Sequence, residues 1–141
     1  DKQIMYVNLH PLVKDKVPIE GYKHIVKFPD DVDSYSFLNA VDVLITDYSS
    51  VFFDFSITRK PIVLFMYDYD AYMAERGMYM DVRDLPFRKI YTMNEMLAYL
   101  HENDKQADVN SAAYDAYYKM FTNYDAPEPE RHAVLRKSAE V

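Results

Sequence analysis

The sequence predicts an α/β fold, with a mainly parallel sheet and helices on both of its faces. Three observations carry that expectation. Short β-favouring runs alternate with helix-like runs, the signature of βαβ units joined by right-handed crossovers. Half of the 141 residues are hydrophobic, enough for one solid core. Only two glycines, Gly21 and Gly77, and seven prolines interrupt the chain, which excludes a linker or a disordered tail as its main character.

The elements follow in order. Ile4-Met5-Tyr6-Val7-Asn8-Leu9 is a short apolar run stopped at His10-Pro11, read as a buried strand. His24 to Phe28 is a second strand, ended by Pro29. Asp33 or Ser34 can cap a short helix that carries Phe37, Leu38 and Val41 inward. Val43-Leu44-Ile45-Thr46 is a third strand, and Val51 to Ile57 a buried helix behind it. Pro61 to Phe65 is the fourth strand, its proline at the first position, where a missing N–H is tolerated. The residues after it, Tyr67 to Asp70, read as an acceptor-rich loop.

Thr92 and Glu95 form a capping-box signature ahead of a stripe of Met93, Met96, Leu97 and Leu100. A further helix follows Asp108, with Val109, Ala112, Ala113, Ala116, Tyr117, Met120 and Phe121 as its apolar positions. Pro127 and Pro129 break it. The domain organisation expected is one domain over 1–125 and a tail or short helix over 126–141.

Composition narrows the partners. A net charge of −7 without a Lys/Arg cluster sets nucleic acid aside. The absence of cysteine excludes disulfides and thiolate metal sites. No apolar run approaches the roughly 20 residues of a membrane-spanning helix. Asp1-Lys2-Gln3-Ile4 does not resemble a signal peptide, and the chain reads as beginning in mid-protein.

In an open parallel sheet, ligands bind beyond the carboxyl ends of the strands. The residues there are His10, Pro29 to Asp31, Asp47 to Ser50, and Tyr67 to Asp70. Thr46-Asp47-Tyr48-Ser49-Ser50 places two hydroxyls where a strand gives way to a helix, a setting suited to an anion such as phosphate. The competing reading makes Ser49 or Ser50 an ordinary N-cap. His10 could donate to a diphosphate or act as a general acid, or be a loop histidine with a structural bond. Arg76 could clamp a phosphate in bidentate fashion, and Asp68 or Asp70 could accept from sugar or glycerol hydroxyls. The alternative there is a surface Arg–Asp pair with tyrosines as packing. The histidines lack metal spacing, and no further ligand cluster joins Asp68 and Asp70, so no metal is expected.

Leu9-His10-Pro11, then Asp42 through Phe55 with its ITDYSS-V-x-F-D-F block, then Pro61-Ile62, then Tyr67-Asp68, Tyr72 and Arg76-Gly77-Met78-Tyr79-Met80-Asp81, resemble the CDP-glycerol:poly(glycerophosphate) glycerophosphotransferase family. The match runs in order over most of residues 4 to 85. Phe87 follows Pro86 where the family often has Pro-Gly, and the chain beyond it matches more loosely.

The resemblance implies a Rossmann-like C-terminal half of a GT-B transferase, the half that binds the nucleotide donor, CDP-glycerol or CDP-ribitol. It implies an acceptor that is teichoic acid or a lipid-linked polyol phosphate, at the inner face of the membrane. An acceptor hydroxyl attacks the β-phosphate and CMP leaves. By motif position Ser49 and Ser50 hold the diphosphate with Arg76 in support, and His10 neutralises charge or assists departure of CMP. Thr46, Asp47 and Asp68 contact the donor or its glycerol. Neither metal nor cofactor is implied, and an N-terminal half of the same protein is needed to complete the cleft. Two other readings stand beside it: the donor half of another GT-B enzyme using a nucleotide sugar, and a non-catalytic nucleotide-binding module.

Overall fold

The computed structural model describes residues 3–9, 16–76 and 80–122. His10, Pro11, the Gly77-Met78-Tyr79 stretch and the segment expected as a tail lie outside them. The chain divides into two compact units, one up to Phe37 and one from Leu38 onward.

In the first unit, strands β1 (Met5–Val7) and β2 (Ile25–Lys27) pair in parallel, Met5 opposite Ile25 and Val7 opposite Lys27. Helix α1 (Ser34–Leu38) begins where Asp33 Oδ2 accepts from the Ser36 N–H at 2.7 Å. That bond satisfies one of the helix's orphan donors. Phe37 meets Tyr6 and Phe28 edge-on, with ring centroids 4.9 and 5.1 Å apart. Gly21, at φ +96°, occupies the left-handed region that a side chain would strain.

The second unit is a three-stranded parallel sheet in the order β3 (Leu44–Thr46), β4 (Ile62–Phe65), β5 (Arg88–Ile90). Central strand β4 is buried on both sides, and its period of two sends alternate residues to opposite faces. Ile62 and Leu64 join Phe52, Phe55, Met66, Phe87, Tyr114 and Tyr117 in the larger cluster. Val63 joins Ile90, Met96 and Tyr99 in the other. Thus α2 (Val51–Ser56) and α5 (Ala112–Thr122) cover one face and α4 (Met93–His101) the other, as the sequence predicts.

Two elements were not legible in advance. β5 hides behind Arg88 and Lys89, residues with poor strand propensity. Their charges are accommodated locally: Arg88 Nη2 pairs with Asp108 Oδ1 at 2.9 Å and with Glu102 Oε2 at 3.3 Å, and Lys89 Nζ donates to the Leu85 carbonyl. Helix α3 (Tyr69–Glu75) stands where a loop was expected after β4. A 3₁₀ turn, Val82–Asp84, follows it.

The helix boundaries hold better than the faces. Thr92 Oγ1 accepts from the Glu95 N–H at 3.3 Å, while Glu95 Oε2 accepts from the N–H of Thr92 at 3.0 Å, a complete capping box. On α4, however, Met96 and Tyr99 face the core, whereas Met93 and Leu97 are exposed. Among the described side chains of α5 the buried ones are Tyr114 and Tyr117, and Met120 is 70% exposed. Alanines carry little apolar area, so the larger aromatic rings set which side turns inward.

Those buried phenols make stability sensitive to alkali. Burial pushes the Tyr99 and Tyr117 hydroxyls up to about 12, and Tyr114 in the same direction. An unfolded tyrosine titrates near 10, so each phenol holds its proton more tightly in the folded chain. The associated stability is fully present below about pH 10 and is lost as pH rises through about 12. For Tyr99 and Tyr117, the difference between about 12 folded and about 10 unfolded corresponds to on the order of 3 kcal/mol each. Urea unfolding should therefore show constant stability from about pH 7 to about 9 and a steep fall above about 10. A flat profile to about pH 12 would contradict the burial of these hydroxyls.

Candidate functional site

Thr46 pairs with Leu64, so the carboxyl ends of β3 and β4 lie side by side. The turns leaving them, Asp47 to Ser50 and Met66 to Asp68, are therefore neighbours. Ligands of open parallel sheets are held at this edge.

The β3–α2 turn is shaped by its own side chains. Asp47 Oδ1 accepts from the Ser49 N–H at 3.1 Å, a local bond that an Asp readily makes to a backbone donor two residues on. Ser50 occupies the N-cap position of α2, but its side chain makes no cap hydrogen bond. The ordinary-cap reading of Ser50 is therefore not what the geometry shows. Ser49 is exposed and Ser50 half-buried. Because α2 has only six residues, its macrodipole is small, and the Ser49 N–H is already engaged by Asp47.

Across the edge, Tyr48 Oη donates to Asp68 Oδ1 at 2.9 Å. The Tyr48 ring stacks on Tyr72, with centroids 3.9 Å apart and planes 22° from parallel. Burial first, then the Asp68 carboxylate, raises the Tyr48 hydroxyl well above the usual tyrosine range, so it is a donor at any physiological pH. Asp68 sits at the N-cap of α3 without a side-chain cap bond, its Oδ1 being given to Tyr48 instead.

A second layer supports the first. Tyr69 Oη donates to Asp81 Oδ1 at 2.8 Å, and Asp81 also accepts from the Arg83 backbone N–H at 2.9 Å and from Arg83 Nε. The Arg83 guanidinium lies 4.6 Å from the Tyr69 ring centroid. These bonds, led by Arg83, hold the Asp81 carboxyl far below the usual carboxylate range. Arg83 and Asp81 form a surface Arg–Asp pair of their own. Arg76 ends α3, exposed, and among the described residues its guanidinium has no ion pair.

The structure brings Thr46, Asp47, Ser49, Ser50 and Asp68 to one edge, through the pairing of β3 with β4 and the Tyr48–Asp68 bond. His10 lies outside the described residues. Sequence reasoning missed the contacts made by Tyr48, Asp81 and Arg83. A signal existed: Tyr69, Tyr72 and Met73 stand at i, i+3 and i+4, which marks α3 as a helix and places tyrosines behind the turn. Among the described residues, no group of three or more His, Cys, Asp or Glu is arranged to hold a metal ion, and no helix is long and apolar enough to cross a membrane.

A parallel sheet covered on both faces, with a hydroxyl-bearing turn beyond the carboxyl ends of adjacent strands, is the architecture of α/β proteins that take polar ligands at that edge. Comparison with known proteins makes this specific. A model of the CDP-Glycerol:Poly(glycerophosphate) glycerophosphotransferase family matches residues 1–133, and the chain belongs to that family. It is 29% identical over 127 residues to the teichoic acid glycerol-phosphate primase of Bacillus subtilis, covering 88% of this chain and 32% of that protein. It is 30% identical over 135 residues to the teichoic acid poly(ribitol-phosphate) polymerase of Bacillus spizizenii, covering 93% of this chain and 21% of that one. Among solved structures, a variant of the wall teichoic acid polymerase TagF soaked with CDPG superimposes with a TM-score of 0.75 at 27% identity, over 97% of this chain and 35% of that one. The chain thus spans about a third or less of the length of the proteins it matches.

Proposed function

We propose that this chain is the donor-binding part of a polyol-phosphate transferase of teichoic acid synthesis, using CDP-glycerol or CDP-ribitol. The observation that carries the reading is the Ser49-Ser50 turn: two hydroxyls beyond β3, Ser50 with no cap bond, within a family match over 1–133. Ser49 and Ser50 hold the donor diphosphate, and Arg76 adds a bidentate cation. Thr46, Asp47 and Asp68 accept from hydroxyls of the donor or its glycerol. His10 neutralises the diphosphate or protonates the departing CMP.

The reaction joins an acceptor hydroxyl oxygen to the β-phosphorus and breaks the bond from that phosphorus to the bridging oxygen, which leaves with CMP. The rest of the full-length protein supplies the acceptor side and the base that takes the hydroxyl proton. The acceptor is teichoic acid or a lipid-linked polyol phosphate, which puts the full-length protein at the inner face of the cell membrane as a peripheral protein. Catalysis of this kind rests on positioning and charge stabilisation.

Calorimetric titration of the full-length protein with CDP-glycerol, CDP-ribitol, CMP and UDP-glucose tests the proposal. Heat of binding for a CDP-alditol and for CMP, with none for UDP-glucose, is the expected result. Binding of UDP-glucose in preference to every cytidine nucleotide would overturn it in favour of a nucleotide-sugar transferase.

A further inference from the structure

We infer that Tyr48 is a positioning residue, fixing the Ser49-Ser50 turn to α3 through its bond to Asp68 and its stack on Tyr72. The inference rests on the reading of that turn as the diphosphate site. It adds a residue that touches no reacting atom and acts through its neighbours.

Asp47 folds the turn on itself through the Ser49 N–H, and the Ser50 carbonyl accepts from the Phe53 N–H as α2 begins, but both bonds are local and neither reaches across to the turn after β4. β3 ends at Thr46, so the sheet's ladder stops short of the serines. Tyr48 is the next anchor, directly ahead of the two hydroxyls. Its ring lies flat on Tyr72 at 3.9 Å and its hydroxyl reaches Asp68 at 2.9 Å. A stacked ring fixes the plane of the side chain and a hydrogen bond at its tip fixes rotation in that plane.

The anchor is itself held. Tyr72 and Asp68 lie on or at the start of α3, and Tyr69 of the same helix is locked to Asp81 at 2.8 Å. Asp81 in turn caps the 3₁₀ turn and binds Arg83. A chain of contacts therefore runs from the serine turn through α3 to the segment around residue 82. Hydroxyls that must meet a diphosphate lose most of their value when misplaced by about 1 Å.

Tyr48→Phe is the discriminating substitution, since it keeps the ring and its stack and deletes the bond to Asp68. In the full-length transferase it should raise the donor KM about tenfold, leave the acceptor KM unchanged and leave the melting temperature near that of the parent. Asp68→Ala in the Tyr48→Phe background should cost less than the sum of the two single effects, because one bond is removed twice. A fall in melting temperature with both KM values changed alike would reduce Tyr48 to a packing residue and overturn the inference. So would full additivity of the two substitutions. The underlying site is tested separately with Ser49→Ala/Ser50→Ala: loss of donor binding there with a Tyr48→Phe protein that behaves as the parent sinks the positioning role alone, whereas unchanged binding in the serine variant sinks both.

Discussion

Replacing both Ser49 and Ser50 by alanine in the full-length protein is expected to weaken donor binding on the order of a hundredfold or more, with little change in stability. A hydrogen bond to a charged group contributes about 1.5–3 kcal/mol, and two such bonds to a diphosphate combine to about 3–6. Each 1.4 kcal/mol is a factor of ten in affinity. Stability should hold because Ser50 makes no cap bond to α2 and Ser49 is exposed. An N-cap serine would behave in the opposite way, costing about 1 kcal/mol of stability on truncation and leaving ligand affinity alone. Calorimetric titration with CDP-glycerol alongside a thermal scan separates the two. A lowered melting point with intact affinity would return both serines to a capping role.

That contrast shows where the sequence was informative. The positions of β3, β4 and the turn between β3 and α2 could be read because apolar runs end sharply at residues with turn chemistry, as Thr46-Asp47 does. The capping box at Thr92 and Glu95 could be read because its bonds span only three residues. What escaped depends on partners distant in sequence. Arg88 and Lys89 look wrong for a strand until Asp108, Glu102 and the Leu85 carbonyl are in place around them. Tyr48 looks like a motif residue of no stated purpose until Asp68, twenty positions on, receives its hydroxyl. Tyr69 and Asp81 likewise acquire meaning only together. Local chemistry is written in the sequence, but the contacts that tie the candidate site to its neighbours are a product of tertiary packing.

The tyrosine faces of α4 and α5 make the same point in energetic terms, and they set up the largest stability effect expected. Phe87 follows Pro86 and directly precedes β5. In the structure it is 3% exposed and sits among Phe52, Tyr114 and Tyr117, with ring centroids 5.7, 5.8 and 5.0 Å away. It joins α2, the segment before β5, and α5 in one cluster. Phe87→Ala should therefore cost about 3–5 kcal/mol, the transfer of a buried ring plus the cavity it leaves. Domains are stable by only about 5–15 kcal/mol, so this substitution approaches global unfolding. Phe87→Leu, which refills most of the space, should cost less than half as much. The control lies on α5 itself. Met120 belongs to the stripe that spacing predicted, yet it is 70% exposed, and Met120→Ala should change stability by no more than about 0.5 kcal/mol. Urea unfolding of the three variants ranks the two faces directly. Equal losses at Phe87 and Met120 would mean that α5 turns its alanine side to the core after all. A loss confined to Phe87 would mean that the tyrosine side of α5 faces the core, with Tyr114 and Tyr117 packed around the Phe87 ring.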